Sequence, residues 1–389
     1  AAEAWSVAGT KGGKKTTVAV IDTGSDYNHE SLKPNMVQGY DFKGNDTDPM
    51  DETSSKNPGH GTHCAGIIGA TGLIEKGTSG IVPEVNIMPL RFLGSDGSGD
   101  LMSGIKAIDY AIEHKADVIS ASWGANVSAA QAKPLIEAVE RASKANVIMV
   151  MAAGNDGVSN NTNSTYPANA VFSNTITVAA SGSNDEKPSW SNFGRDRVAL
   201  ASPGLDIIST IPNNGYKNLS GTSMATPLVA GLVAWLKSQD PTLTGEQIRS
   251  LLQTTGTKVS IETACNCRVD ALSAVQALQA KTMVVTPAAW TMDVGTTQQF
   301  GALHGVAPLK FESSNTSVAT IDNNGLLKAT AEGETIINIT DSTGAKSSSQ
   351  AIRIKLASGG GDTGTCPLKS PIACELLCAI QPSLPWCQQ

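Results

Sequence analysis

Between about Thr17 and Leu278 the chain alternates short β-branched runs with helical ones, and this alternation limits the fold more than any other feature. Val18 to Ile21, Val85 to Leu90, Val118 to Ser122, Val147 to Ala153 and Ile176 to Ala180 are near-continuous apolar stretches bounded by turn residues. Strands of this kind need cover on both faces, because neither face offers polar side chains to water. The segments Leu101 to Lys115 and Leu135 to Lys144 carry helical spacing and can supply it. The expected fold is α/β, a parallel sheet with helices on both faces. With 40% hydrophobic residues, 4% aromatic residues and 38 glycines, its core must be built from Ala, Val, Ile and Leu with close backbone approaches.

After Lys281 the helical spacing stops. Val284-Val-Thr-Pro287, Gln299-Phe300, Lys310-Phe-Glu-Ser-Ser-Asn315 and Thr335-Ile-Ile-Asn-Ile-Thr340 are short strand-like runs between Gly, Asn and Asp turns. Their regular spacing predicts a small all-β sandwich. Asn315-Thr-Ser-Val-Ala-Thr-Ile-Asp-Asn-Asn-Gly-Leu-Leu-Lys-Ala329 resembles the bacterial group 2 immunoglobulin-like domains of exported and surface proteins. Ala357 to Thr365 has the composition of a flexible linker. The 389 residues exceed the size at which one core usually stops growing. The expected units are therefore a catalytic-type α/β domain over 1–281, an immunoglobulin-like sandwich over 282–356, a linker over 357–365 and a Cys-rich tail over 366–389.

Six of the seven cysteines lie late, at Cys265, Cys267, Cys366, Cys374, Cys378 and Cys387. They lack the paired Cys-x-x-Cys knuckles of a structural zinc site, so disulfides and an oxidising, exported location are expected, with the pairing left open. Cys64, among Ala and Gly, reads as a small buried hydrophobe. The formal charge of −7 argues against a nucleic-acid partner, since the only basic cluster is Lys11 to Lys15, which reads as a solvated turn. No apolar run is long enough to span a bilayer as a transmembrane segment. The start at Ala1, without a signal peptide, fits a mature form from which an N-terminal propeptide has been removed.

Asp22 stands in Val18-Ala-Val-Ile-Asp-Thr-Gly24, His60 in Gly59-His-Gly-Thr-His-Cys-Ala-Gly66 and Ser223 in Gly221-Thr-Ser-Met-Ala-Thr-Pro227. A serine hydroxyl becomes a useful nucleophile only when a base takes its proton, and the base needs a buried carboxylate to fix its tautomer. Ser223, His60 and Asp22 can fill those roles. Ser223 precedes the apolar run Leu228 to Leu236, which reads as a core helix whose N-terminus would face developing negative charge. His63 follows His60 at helical spacing, but the Glu of His-Glu-x-x-His and a third ligand are missing, so it is assigned a structural role rather than zinc. His29, His114 and His304 read as ordinary surface residues.

In residue type and in the order Asp, His, Ser these segments resemble the subtilisin-like serine proteases, and the resemblance runs from about Trp5 to Leu278. It implies a secreted, monomeric serine endopeptidase acting on proteins or peptides through an acyl-enzyme. It also implies that Asn155, in Ala152-Ala-Gly-Asn155, donates its side-chain amide to the oxyanion hole. Loss of one such donor costs about 3–4 kcal/mol, a figure established on subtilisin. By the same resemblance an extended substrate would lie between Gly97-Ser98-Gly99 and Ser122-Trp123-Gly124, with a primary pocket lined also by Ala152, Gly154, Asp156 and Thr165. Thr165 is expected to shorten that pocket and Asp156 to favour a basic side chain. Asp41 to Glu52 is dense in hard oxygen ligands, so Ca²⁺ on Asp46, Asp48 and Asp51 is expected, with a solvated acidic turn as the alternative. Two competing functions are a surface binding protein with a relic protease fold and an esterase or peptide ligase. The intact set Asp22, His60, Asn155 and Ser223 opposes the first, and only substrate assays separate the second.

Overall fold

The computed structural model describes residues 2–73, 75 and 77–356. The expected linker, the Cys-rich tail and its four cysteines lie outside the described residues.

A nine-stranded sheet organises the first part of the chain. Its strands are β1 (Gly12–Asp22), β2 (Tyr40–Asp41), β3 (Glu84–Arg91), β4 (Val118–Ala121), then, beyond a two-residue β5 (Ala125–Asn126), β6 (Ile148–Ala152). After β7 (Thr165–Tyr166) come β8 (Thr175–Ser181) and β9 (Leu200–Pro203). A separate hairpin of β10 (Ile207–Ile211) and β11 (Gly215–Leu219) precedes the edge strands β12 (Thr257–Lys258) and β13 (Cys267–Arg268). The order is β12-β13-β9-β8-β6-β4-β1-β3-β2, parallel except for the β12–β13 pair. The strand order reverses at β1, which lies between β3 and β4. Such a reversal opens a crevice beyond the carboxyl ends of the strands, where ligands bind.

Seven helices are described: α1 (Ala2–Ala8), α2 (His60–Gly69), α3 (Leu101–Glu113), α4 (Ala129–Lys144), α5 (Thr222–Gln239), α6 (Gly245–Thr255) and α7 (Ala271–Gln279). Alternation along β1 sorts them into layers. Val18 and Val20 point into the core shared with α2 and α5, while Ala19 and Ile21 point into the core shared with α3 and α4. Burial of each large aliphatic in these layers contributes about 2–3 kcal/mol.

The helix α3 starts at Leu101 as its spacing predicts, whereas α4 and α5 start earlier. Ser128 and Gln131 form a reciprocal capping box, so α4 begins at Ala129, and Pro134 sits near enough to the N-terminus to be accommodated. Similarly α5 begins at Thr222, which places Ser223 inside its first turn rather than ahead of the helix. The basic stretch after Lys11 is not a turn, because Gly12 to Thr17 opens β1.

From Val284 to Lys355 the chain forms eleven short strands with a core of their own, including Phe300, Leu327, Ile337, Ile339, Ile352 and Ile354. This β-rich region is seated against the α/β part. The Arg249 guanidinium stacks 4.6 Å over the Trp290 ring, and Ala288 N donates to Ser250 Oγ at 3.0 Å. Cys265 and Cys267 are disulfide-bonded to each other.

Candidate active site

Asp22 closes β1 and is fully buried. α2 can come down on it because residue 61 is glycine: a Cβ there would stand 2.1 Å from Gly24 O. The approach sets His60 Nδ1 2.6 Å from Asp22 Oδ1, which also accepts from Thr23 N at 2.8 Å. Burial alone would pull the His60 pKa down, but the charge of Asp22 and the hydrogen bond to it, with Asp51 farther off, hold it above the ordinary histidine value.

Asp51 is the hidden support of this arrangement. Its Oδ1 accepts from Thr23 Oγ1 (2.9 Å) and Asn57 Nδ2 (2.9 Å), and its Oδ2 accepts from Thr62 N (2.9 Å) and Thr62 Oγ1 (2.7 Å). Asn57 Oδ1 in turn takes the N–H groups of Gly59 and His60, which caps α2. Burial raises the Asp51 pKa despite these bonds.

The expected calcium set, Asp46, Asp48 and Asp51, includes this support. Both oxygens of Asp51 accept hydrogen bonds from Thr23, Asn57 and Thr62. Asp46 Oδ1 accepts from Asp48 N, and Asp48 Oδ1 accepts from Tyr27 Oη and Met50 N. Asp46, Asp48 and Asp51 do not converge; among the described residues the one group of three ligand-type side chains within 4.8 Å is Asp22, His60 and Cys64. Asp51→Asn is expected to cost about 1–3 kcal/mol by orphaning a buried donor. Melting curves with and without EGTA test the calcium expectation: chelation should lower Tm, and Asp46→Asn with Asp48→Asn should mimic it.

Two other histidines are structural. His63 is buried and paired through Nε2 with Lys217 O (2.9 Å), and burial lowers its pKa to about 4. His29, expected at the surface, is fully buried, with Nε2 3.1 Å from Gly215 O and its ring edge-on to Tyr216. Both pin the β10–β11 hairpin over α2.

At the head of α5, Ser223 and Ser122 bind each other reciprocally. Ser223 Oγ donates to Ser122 O (3.1 Å) and Ser122 Oγ donates to Ser223 O (2.9 Å). No hydrogen bond from Ser223 to His60 is formed among the described residues; such bonds are often long in ligand-free sites and tighten with substrate. Cys64 Sγ lies 3.4 Å from Ser223 O, but burial, followed by the charge of Asp22, raises its pKa well above the ordinary thiol value, so it stays a thiol. Asn155 Oδ1 accepts from both Thr222 N and Thr222 Oγ1 at 2.9 Å. Its amide nitrogen is left without a protein partner among the described residues and so can donate to an oxyanion.

Two cavities meet at this point. One, of about 280 Å³, is lined by Ser122, Trp123, Gly124, Ala152, Gly154, Asn155, Asp156, Thr165 and Ser223. The Thr165 methyl stands between its walls, 3.1 Å from where a Cβ on Gly124 would lie and 3.7 Å from one on Gly154. Gly154, at φ +113°, admits no larger residue because a Cβ would meet Asn192 Nδ2 at 2.5 Å. The other cavity, of about 590 Å³, runs from His60 past Gly97, Ser98 and Gly99 to Phe92, Trp123 and Leu135. Asn126 went unnoticed in the sequence: its Oδ1 accepts from Thr165 Oγ1 (2.8 Å) and its Nδ2 donates to Asp156 Oδ2 (2.9 Å), tying the two specificity candidates together.

A parallel sheet whose reversal point carries an Asp–His pair, a serine at a helix head and a free amide is the arrangement of a serine protease. Residues 13–277 match the subtilase family, and residues 279–352 match the bacterial Ig-like domain, group 2. Thermitase of Thermoactinomyces vulgaris is 40% identical over 260 residues, covering 67% of this chain and 86% of that protein. The thermophilic serine proteinase of Bacillus sp. (strain AK1) is 41% identical over 257 residues, 66% of this chain and 60% of that protein. Among solved structures, a cold adapted subtilisin-like serine proteinase aligns with a TM-score of 0.57 at 34% identity, covering 66% of this chain and 87% of that one. The chain belongs to the subtilase family and is a subtilisin-like serine endopeptidase followed by an immunoglobulin-like β-rich region. No helix among the described residues is long and apolar enough to cross a membrane.

Proposed function

We propose that the enzyme is exported and cleaves peptide bonds through an acyl-enzyme on Ser223. His60 takes the Ser223 proton as the hydroxyl attacks the scissile carbonyl and later returns it to the leaving amine. Asp22 holds the imidazole by Nδ1 and stabilises its cation. The Asn155 amide and the α5 N-terminus receive the oxyanion. Water then releases the acyl group by the same route. The observation that carries this reading is the 2.6 Å Asp22–His60 contact, with His60 lining one cavity and Ser223 and the free Asn155 amide lining a second that shares Ser122, Trp123 and Gly124 with it.

We assign catalysis to residues 1–281, the immunoglobulin-like unit to 282–356, and the linker and tail to 357–365 and 366–389. The Thr165 methyl in the smaller cavity supports a short primary pocket, and Asp156 at its edge supports tolerance of a basic group there. Monomeric action and removal of a propeptide belong to the same reading. A structural Ca²⁺ held by the acidic stretch with Asp46, Asp48 and Asp51 belongs to the same reading, and no catalytic step is routed through it.

The pH profile tests the role of His60. Only the neutral imidazole accepts a proton, so kcat/KM should rise with pH and level off through an apparent pKa above about 6.5, raised by Asp22. Asp22→Asn removes the charge that raises it and leaves burial, which lowers it. The rising limb should therefore move to lower pH while the plateau drops by about 10⁴-fold. A limb that stays in place in Asp22→Asn, or a flat profile from pH 5 to 9, removes His60 from the role of base.

A further inference from the structure

The segment Trp190–Asp196 has no regular strand of the main sheet, yet it lies along the loop that follows Gly154. Asn192 N donates to Gly154 O (3.0 Å), and Asn192 Oδ1 accepts from Asp156 N (3.0 Å) and Val158 N (3.1 Å). Farther along, Asn160 N donates to Phe193 O (2.7 Å) and Asp196 N donates to Asn161 Oδ1 (3.0 Å). One end of this strap thus grips the wall of the smaller cavity. The other end is Asp196, whose carboxylate turns away into the β-rich region. It accepts from Arg353 Nη1 (2.9 Å), Thr291 Oγ1 (3.2 Å) and Lys355 Nζ (3.3 Å), with its side chain only 7% exposed. Next to it, Arg195 pairs with Glu334 at 2.6 Å.

We propose that the immunoglobulin-like region is a working part of the primary specificity pocket, and that Asp196 is the positioning residue through which it acts. The inference rests on the reading of the smaller cavity as that pocket. A nearly buried carboxylate held by two cations and a hydroxyl cannot shift without leaving a charge unpaired, so it is a stiff anchor. With Asp196 fixed, Phe193 and Asn192 stay in register with the loop, and Asp156 is held at the pocket edge. Released, the strap and the loop can slide together and the pocket loses its fit. The oxyanion donor should be spared, because Asn155 is held separately by Thr222 on α5. The effect therefore falls on substrate binding at one subsite rather than on chemistry.

The test uses the full chain and chromogenic peptides in two series, one varied at the residue that contributes the scissile carbonyl and the other varied two or more residues upstream. Asp196→Asn and Arg353→Gln are each expected to raise KM in the first series by about three- to tenfold, with kcat within about twofold and the upstream preference unchanged. The double variant should be no worse than the weaker single one, because both cut the same link. Arg353 has a side chain 39% exposed, so its variant keeps the test alive if Asp196→Asn does not fold. Unchanged KM in the first series despite a lowered Tm overturns the proposal, as does a loss spread evenly over both series. Thr165→Gly separates the underlying reading: if opening the cavity leaves the first-series preference as in the parent, the cavity is not the primary pocket.

Discussion

Replacing Ser223 by alanine should lower peptide hydrolysis by about 10⁶-fold, a magnitude known from subtilisin itself, and leave the melting curve nearly in place. The hydroxyl removed makes one hydrogen bond, to Ser122 O, and that carbonyl sits on a strand end already fixed by β1 and β6. The anchoring bond in the other direction, Ser122 Oγ to Ser223 O, uses the backbone and survives the substitution. The neighbouring thiol cannot substitute, because Cys64 is buried and its pKa is raised. Steady-state assay at high enzyme concentration beside calorimetry checks both halves of the expectation. Activity retained within a hundredfold of the parent would require another nucleophile.

Asn155→Ala should lower kcat by about 10²–10³-fold with KM little changed, since the amide meets the oxyanion only after the carbonyl has become tetrahedral. The side chain is exposed, but its Oδ1 accepts from Thr222 N and Oγ1, and Thr222 is fully buried. Stability should therefore fall by about 1–3 kcal/mol, far less than the loss in kcat requires if it came from unfolding. Asn155→Asp is a sharper variant: it keeps the Thr222 bonds while placing an acceptor where a donor is needed, so it should be at least as slow as alanine. An increase in KM with unchanged kcat would make Asn155 a binding residue and not an oxyanion donor.

What was legible in the sequence is what is written locally. The parallel sheet follows from apolar runs such as Val18 to Ile21, whose alternate residues serve two buried layers, Asp22 stands at the end of the first of them, and the role of Asn155 is what the resemblance to the subtilisin-like proteases implies. What was not legible depends on partners distant in the chain. His29 looks like a surface residue until the β10–β11 hairpin, 186 residues later, brings Gly215 O to its ring. Asp51 reads in the sequence only as one oxygen ligand in an acidic stretch; its role as a buried hydrogen-bond centre depends on Thr23, Asn57 and Thr62 converging on it. Asn126, Asn192 and Asp196 carry no motif at all, because a polar residue in a loop acquires meaning from what it reaches. The helix starts at Ala129 and Thr222 were missed for a different reason: capping and first-turn residues need not be apolar, so hydrophobic spacing locates the buried face of a helix and not its end.

The most direct measurement is labelling with a fluorophosphonate followed by peptide mapping. The reagent places a phosphonyl group on a serine only where a base takes the hydroxyl proton and donors hold the resulting oxyanion, so it interrogates Ser223, His60 and Asn155 at once. The account predicts one label per chain, on the peptide containing Gly221-Thr-Ser223-Met, formed more slowly in Asp22→Asn and Asn155→Ala and absent in Ser223→Ala. A label on any other residue, or an unlabelled chain that still cleaves peptides, would contradict it.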